Sequence, residues 1–209
     1  MNLLTIALFL TIAGVLLKTG EQRQRIALLA SHLGPFRIEK LMERLNEGYL
    51  RALGETDPLR QAQVWAAHEQ TERDLAQQFR RFADAFERAD AAATRVSLNP
   101  LPLAHRWLPG WLAPGFDARR LMQLHAQGLE RAVANAHGRL AARERARTLL
   151  AEMYLMQHSC HWFCRSRARA STRLMARHQT TLAQVLQAVS PETRKAYAEV
   201  TGVALPDAG

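Results

Sequence analysis

Residues 1–17 read MNLLTIALFLTIAGVLL, without one charged side chain, and the run closes on Lys18 with Arg23 and Arg25 close behind. A helix rises ~1.5 Å per residue, so the apolar part from Leu3 to Leu17 covers ~22 Å of a ~30 Å hydrocarbon core. A snorkelling Lys18 brings it to the short end of the spanning range. Thr5, Thr11 and Gly14 are compatible with lipid, because a helical Thr hydrogen-bonds its own backbone and Gly is common in membrane helices. A secretory signal would carry basic residues before the apolar core and a small-x-small site after it; this run has neither. Burial inside a soluble core is the remaining rival. The expectation is a transmembrane anchor over residues 1–18. All nearby positive charge follows the run, which places the N-terminus outside and the body in the cytoplasm, at the inner membrane if the source is bacterial.

The rest of the chain has the make-up of a folded protein. Hydrophobic residues form 48% of the 209 and charged residues 22%, enough for a sizeable core. The net charge of +9 is carried largely by arginine and attracts anionic headgroups or nucleic acid; solvated helix faces are the plainer reading. Only two cysteines occur, Cys160 and Cys164, which suits free thiols in a reducing compartment better than a disulfide framework.

Beyond the anchor the pattern is helical throughout. Residues 19–55 read as juxtamembrane amphipathic helices, interrupted by Gly34-Pro35 and ended by Gly54. Asp57-Pro58 then gives an N-cap and a first helical position, and 56–96 reads as one long helix. Its seam, Leu75, Phe79, Phe82, Phe86, Ala89 and Ala93, alternates steps of four and three as coiled coils do. His68 falls on the same seam, with Glu72 one turn on as its expected local partner.

Residues 97–116 break the pattern with four prolines and two glycines, yet stay apolar. Trp107 and Trp111 suit a bilayer interface, with Lys18 as the third interfacial residue; a loop closing over its own helix ends is the alternative. From 117 to 189 the pattern gives one long helix, or two with a break near Arg143–Arg147. Gly128 and Gly138 are its only breakers. Residues 190–209 form a short helix, capped by Ser190-Pro191, and a tail. The fold class expected is all-α: an N-terminal transmembrane helix followed by an antiparallel bundle of long helices or a coiled-coil-like hairpin.

Chemistry concentrates between Met156 and Arg177. Cys160 and Cys164 share a helix face, and His161 sits ~100° round from Cys160. These three are the candidate metal ligands, although their spacing matches neither a zinc knuckle nor a haem-attachment motif. Packing against a close neighbour is the alternative for the cysteines. Arg165, Arg167, Arg169, Arg173 and Arg177 follow as a basic surface for anionic lipid or phosphate. No helix-turn-helix or zinc finger accompanies them, so sequence-specific nucleic-acid reading is disfavoured. Phosphate loops, nucleophile elbows and His-Glu-x-x-His pairs are absent from the sequence. The function expected is a non-catalytic, membrane-anchored helical scaffold, with lipid and other proteins or further copies as partners and no cofactor. A metal- or haem-binding membrane subunit is the alternative, and lipid or nucleic-acid binding through the arginines is the second alternative.

Overall fold

An amphipathic helix buries its apolar stripe only against another element, and this chain supplies many such stripes. The computed structural model describes residues 3–98, 114–135 and 141–205. Over these it places helices α1 (Leu3–Leu33), α2 (Ile38–Gly54), α3 (Pro58–Phe86), α4 (Ala91–Thr94), α5 (Ala118–Ala134), α6 (Ala142–Cys164), α7 (Arg167–His178), α8 (Leu182–Ala188) and α9 (Pro191–Thr201). Two short strands, β1 (Arg95–Ser97) and β2 (Gly115–Asp117), pair antiparallel with Val96 opposite Phe116. The molecule is an all-α bundle.

The Phe seam of α3 forms its centre. Leu75, Phe79, Phe82 and Phe86 are all buried, packed between α2 on one side and α5 on the other. Stacked and edge-on rings run from Phe79 through Phe82 and Phe86 to Phe163 on α6. Helices α3 and α5 run antiparallel: Arg119 reaches the Ala89 carbonyl, Gln123 bonds Asp84, and Arg80 pairs with Glu130. Helix α6 crosses α5 where a side chain on Gly128 would collide with the Glu152 carboxylate and the Thr193 hydroxyl. That glycine permits a close three-way approach of α5, α6 and α9.

Several boundaries differ from the sequence reading. Helix α1 continues past Lys18 to Leu33 without interruption, so the anchor and the first juxtamembrane helix are one rod of ~46 Å. Among the described residues no helix is long and apolar enough to cross a membrane. The physical reason is length: charge begins at Lys18, only ~22 Å along the apolar run. The helix expected over 56–96 stops at Phe86, because Asp90 caps a new turn by accepting from the Ala93 N–H. Ala93, assigned to the seam, is consequently exposed.

Residues 117–189 form four described helices rather than one or two. Ser166 caps α7 and Thr181 caps α8; the latter makes a full capping box with Gln184. Gln179 ends α7 in the left-handed conformation, φ 51°. The Pro-rich segment leaves and re-enters through β1 and β2, where the Leu98 N–H bonds the Pro114 carbonyl at 2.8 Å. Trp107, Trp111 and Gly138 lie outside the described residues.

Candidate functional site

The two halves of α1 have opposite surroundings. In the C-terminal half, Leu29 is buried and His32 sits edge-on to Phe86 at 5.3 Å. Arg25 is the key of this half. Its guanidinium donates to Glu21 (2.5 Å), to the Arg95 carbonyl of β1 (2.9 Å) and to the Phe163 carbonyl of α6 (3.4 Å), and lies 5.7 Å from the Phe163 ring. One side chain thereby ties α1 to the strand and to the end of α6. Burial pulls its pKa below the ordinary arginine value, against the opposing pull of Glu21. Such a chelated guanidinium needs the planar fork of Arg; a lysine offers no equivalent.

The N-terminal half has no protein cover where its side chains are described. Leu4 is 83% exposed, Phe9 64%, Leu16 66% and Leu17 52%. Ile12 and Val15 are exposed as well, and a side chain built on Gly14 or Gly20 would meet nothing within 4 Å. At ~100° per residue the exposed large apolar positions cover an arc of about 220°. An arc that wide suits a surrounding apolar medium, whereas a helix built for a single protein groove is apolar along one narrower stripe. Lys18 stands exposed at the lower end of this segment.

The candidate metal ligands do not converge. His161 faces α7, with Arg173 and Arg177 for neighbours, whereas Cys164 lies beside Arg25. Burial pushes the Cys160 thiol up to about 12 and the Cys164 thiol to about 11, so both are protonated at neutral pH and neither is poised as a thiolate ligand. Among the described residues no three His, Cys, Asp or Glu side chains are grouped to hold a metal ion.

The five arginines occupy two settings. Arg165 donates to Gln22 of α1 at 3.0 Å, and Arg167 lies 5.7 Å from the Trp162 ring. Arg169, Arg173 and Arg177 are exposed on α7. Among the described residues these charges have no ion-pair partner.

Two buried polar groupings were not legible in the sequence. In the first, Glu72 accepts from the Tyr49 hydroxyl and from Arg145, joining α2, α3 and α6. This takes Glu72 away from His68, its expected partner. His68 instead bonds the Val64 carbonyl through Nδ1 at 2.8 Å, its ring lying over Gly48, where any larger residue would collide with it. In the second, His125 Nε2 and the Ser159 hydroxyl meet at 2.8 Å, and the same hydroxyl lies 2.9 Å from the Leu155 carbonyl one turn back on α6. Burial holds His125 neutral, down to about 3.

A glycine beneath a ring, or a histidine on an apolar stripe, has no distinctive sequence pattern. The Glu21–Arg25 spacing on α1 was the one available signal for the Arg25 key. Comparison with protein-family models, with curated proteins and with solved structures finds no match to this chain.

Proposed function

We propose that the N-terminal half of α1 embeds in a lipid bilayer and that the helical body is held at the membrane surface as a non-catalytic platform for partner proteins. The observation that carries this reading is the wide exposed apolar arc of α1 from Leu4 to Leu17. Burying a side chain of Leu or Phe size contributes about 1.5–3 kcal/mol. The described members of the set alone therefore favour insertion by roughly 10 kcal/mol, before the cost of immobilising the protein.

The ~22 Å apolar run falls short of a ~30 Å core, and local thinning of the bilayer accommodates such a mismatch at modest cost. Lys18, Arg23 and Arg25 follow the run, which supports the cytoplasmic side for the body. Arg165 meets Gln22 on the flank of α1 and adds positive charge near the exit point.

Flotation of the full chain with phospholipid vesicles tests the reading. Wild-type protein is expected to float and to resist carbonate extraction, and an Ile12→Glu, Leu16→Glu variant to remain in the soluble fraction. Recovery of wild-type protein as a detergent-free, soluble monomer or oligomer would overturn it; an oligomer would identify another copy as the cover of α1.

A further inference from the structure

The cleft between α6 and α7 has a composition that neither lipid insertion nor packing accounts for. Gln157, His158 and His161 form one wall; Arg173, Arg177 and His178 form the other. Three contacts hold the walls together. His158 Nε2 meets Ser171 at 3.1 Å, His178 Nε2 donates to Gln157 Oε1 at 3.0 Å, and the His178 ring stacks on Tyr154 at 3.8 Å.

Arg173 and Arg177 stand one turn apart on α7 and repel each other, and no described carboxylate compensates them. The His161 ring makes no hydrogen bond among the described residues and lines the same cleft as both guanidiniums. The half-buried imidazole lies beside two like-charged forks in a cleft open to solvent. A bound oxyanion relieves the repulsion between the forks, because guanidinium groups and an imidazole N–H both donate to the oxygens of a tetrahedral anion.

We infer that His161, Arg173 and Arg177 form a binding site for a single phosphate group. The donors are all neutral or cationic, and the cleft is too shallow for a nucleotide base. The same chemistry is offered by a phospholipid headgroup and by free phosphate. This site is separate from the apolar part of α1 and stands whether or not that segment enters lipid.

The test uses the full chain with ring-labelled histidine in nanodiscs of phosphatidylcholine, titrated with inorganic phosphate against chloride at matched ionic strength. A second set of nanodiscs contains phosphatidic acid and receives no phosphate. Saturable shifts of the His161 and His178 resonances are expected in at least one arm. A response to inorganic phosphate identifies free phosphate as ligand, and a response only to phosphatidic acid identifies the headgroup. Arg173→Gln with Arg177→Gln is expected to weaken binding at least tenfold, and Arg81→Gln with Arg88→Gln, two exposed arginines elsewhere, to leave it unchanged. Absence of a saturable shift in both arms would overturn the site. Equal weakening by the two pairs of variants would do the same, because it would reduce the effect to general charge.

Discussion

Acid should unfold this protein through two histidines that the fold keeps neutral. His125 and His158 are both buried, on α5 and α6, and each has one ring nitrogen, Nδ1, without a partner. Burial takes His125 down to about 3, with His158 as a minor contributor. It takes His158 down to about 4, helped by Arg167 and His161. An unfolded imidazole titrates near ~6.5. Between those values the unfolded chain binds protons that the folded one refuses, so stability is lost as pH falls below ~6.5 and continues to fall to the folded pKa values.

At pH ~4.5 each histidine accounts for about 2.5 kcal/mol of this loss, or about 5 kcal/mol together. That is comparable with the whole stability of a typical domain. Glu152 acts with the opposite sign, because burial raises its pKa and acid relieves it. A comparison with His125→Gln, His158→Gln removes this opposing contribution, since Glu152 is common to both proteins. Glutamine keeps a donor towards Ser159 and Ser171 while abolishing the titration. Urea unfolding in mild detergent, followed by far-ultraviolet circular dichroism at pH ~7.5 and ~4.5, should show wild type losing about 5 kcal/mol more than the double variant. Parallel losses in the two proteins would refute the reasoning.

Two further outcomes follow from named contacts. Arg25→Ala leaves Glu21 and the carbonyls of Arg95 and Phe163 without their donor, and should lower stability by about 2–4 kcal/mol in the same urea assay; Arg25→Lys should recover less than half of that. Gly128→Ala drives a methyl group into Glu152 and Thr193 at the crossing of α5, α6 and α9, and should cost about 1–3 kcal/mol by thermal unfolding, whereas Gly20→Ala, in open space, should be neutral or slightly stabilising.

Helical class, the Phe seam of α3 and the Asp57 and Ser190 caps were legible because each rests on local chemistry: periodicity, a side-chain acceptor, a proline. The segmentation of 117–189 was legible only in part. Attention to Gly and Pro as breakers passed over Ser166 and Thr181, although Thr181 with Gln184 three residues on is a capping box in the sequence itself. The strands were too short for an alternating pattern to register. For the site, the run of arginines and His161 were each visible, but not that they share one cleft with His158 and His178. His178 and Gln157 meet across 21 residues, and the angle at which α7 folds back on α6 is set by Ser166 and by packing of Ala170 and Leu174. His161 was grouped with the cysteines by proximity in sequence, whereas the 100° step per residue turns it towards α7.

The continuity of α1 links the two proposals in space. Nothing interrupts the helix between Leu17 and Arg25, and Arg25 is fixed to β1 and α6, so a bilayer that seats the apolar half also orients the body. Helix α6 runs antiparallel to α1, with Phe163 level with Arg25 and Arg165 level with Gln22. With Leu17 at the hydrocarbon edge, Gln22 and Arg165 lie ~8 Å below it and Arg25 ~12 Å. The headgroup layer is only ~6 Å deep on each side. Under the proposed insertion, Arg165, with a side chain of comparable reach, is placed to meet phosphodiesters in the plane of the membrane. His161 lies a further turn down α6, and α7 carries Arg173 and Arg177 away from the bilayer as it folds back towards Gln157. On the proposed seating that cleft lies further from the hydrocarbon edge than Arg165 does, so free phosphate reaches it more directly than a headgroup, and the arm of the nanodisc titration that contains free phosphate is the more sensitive one.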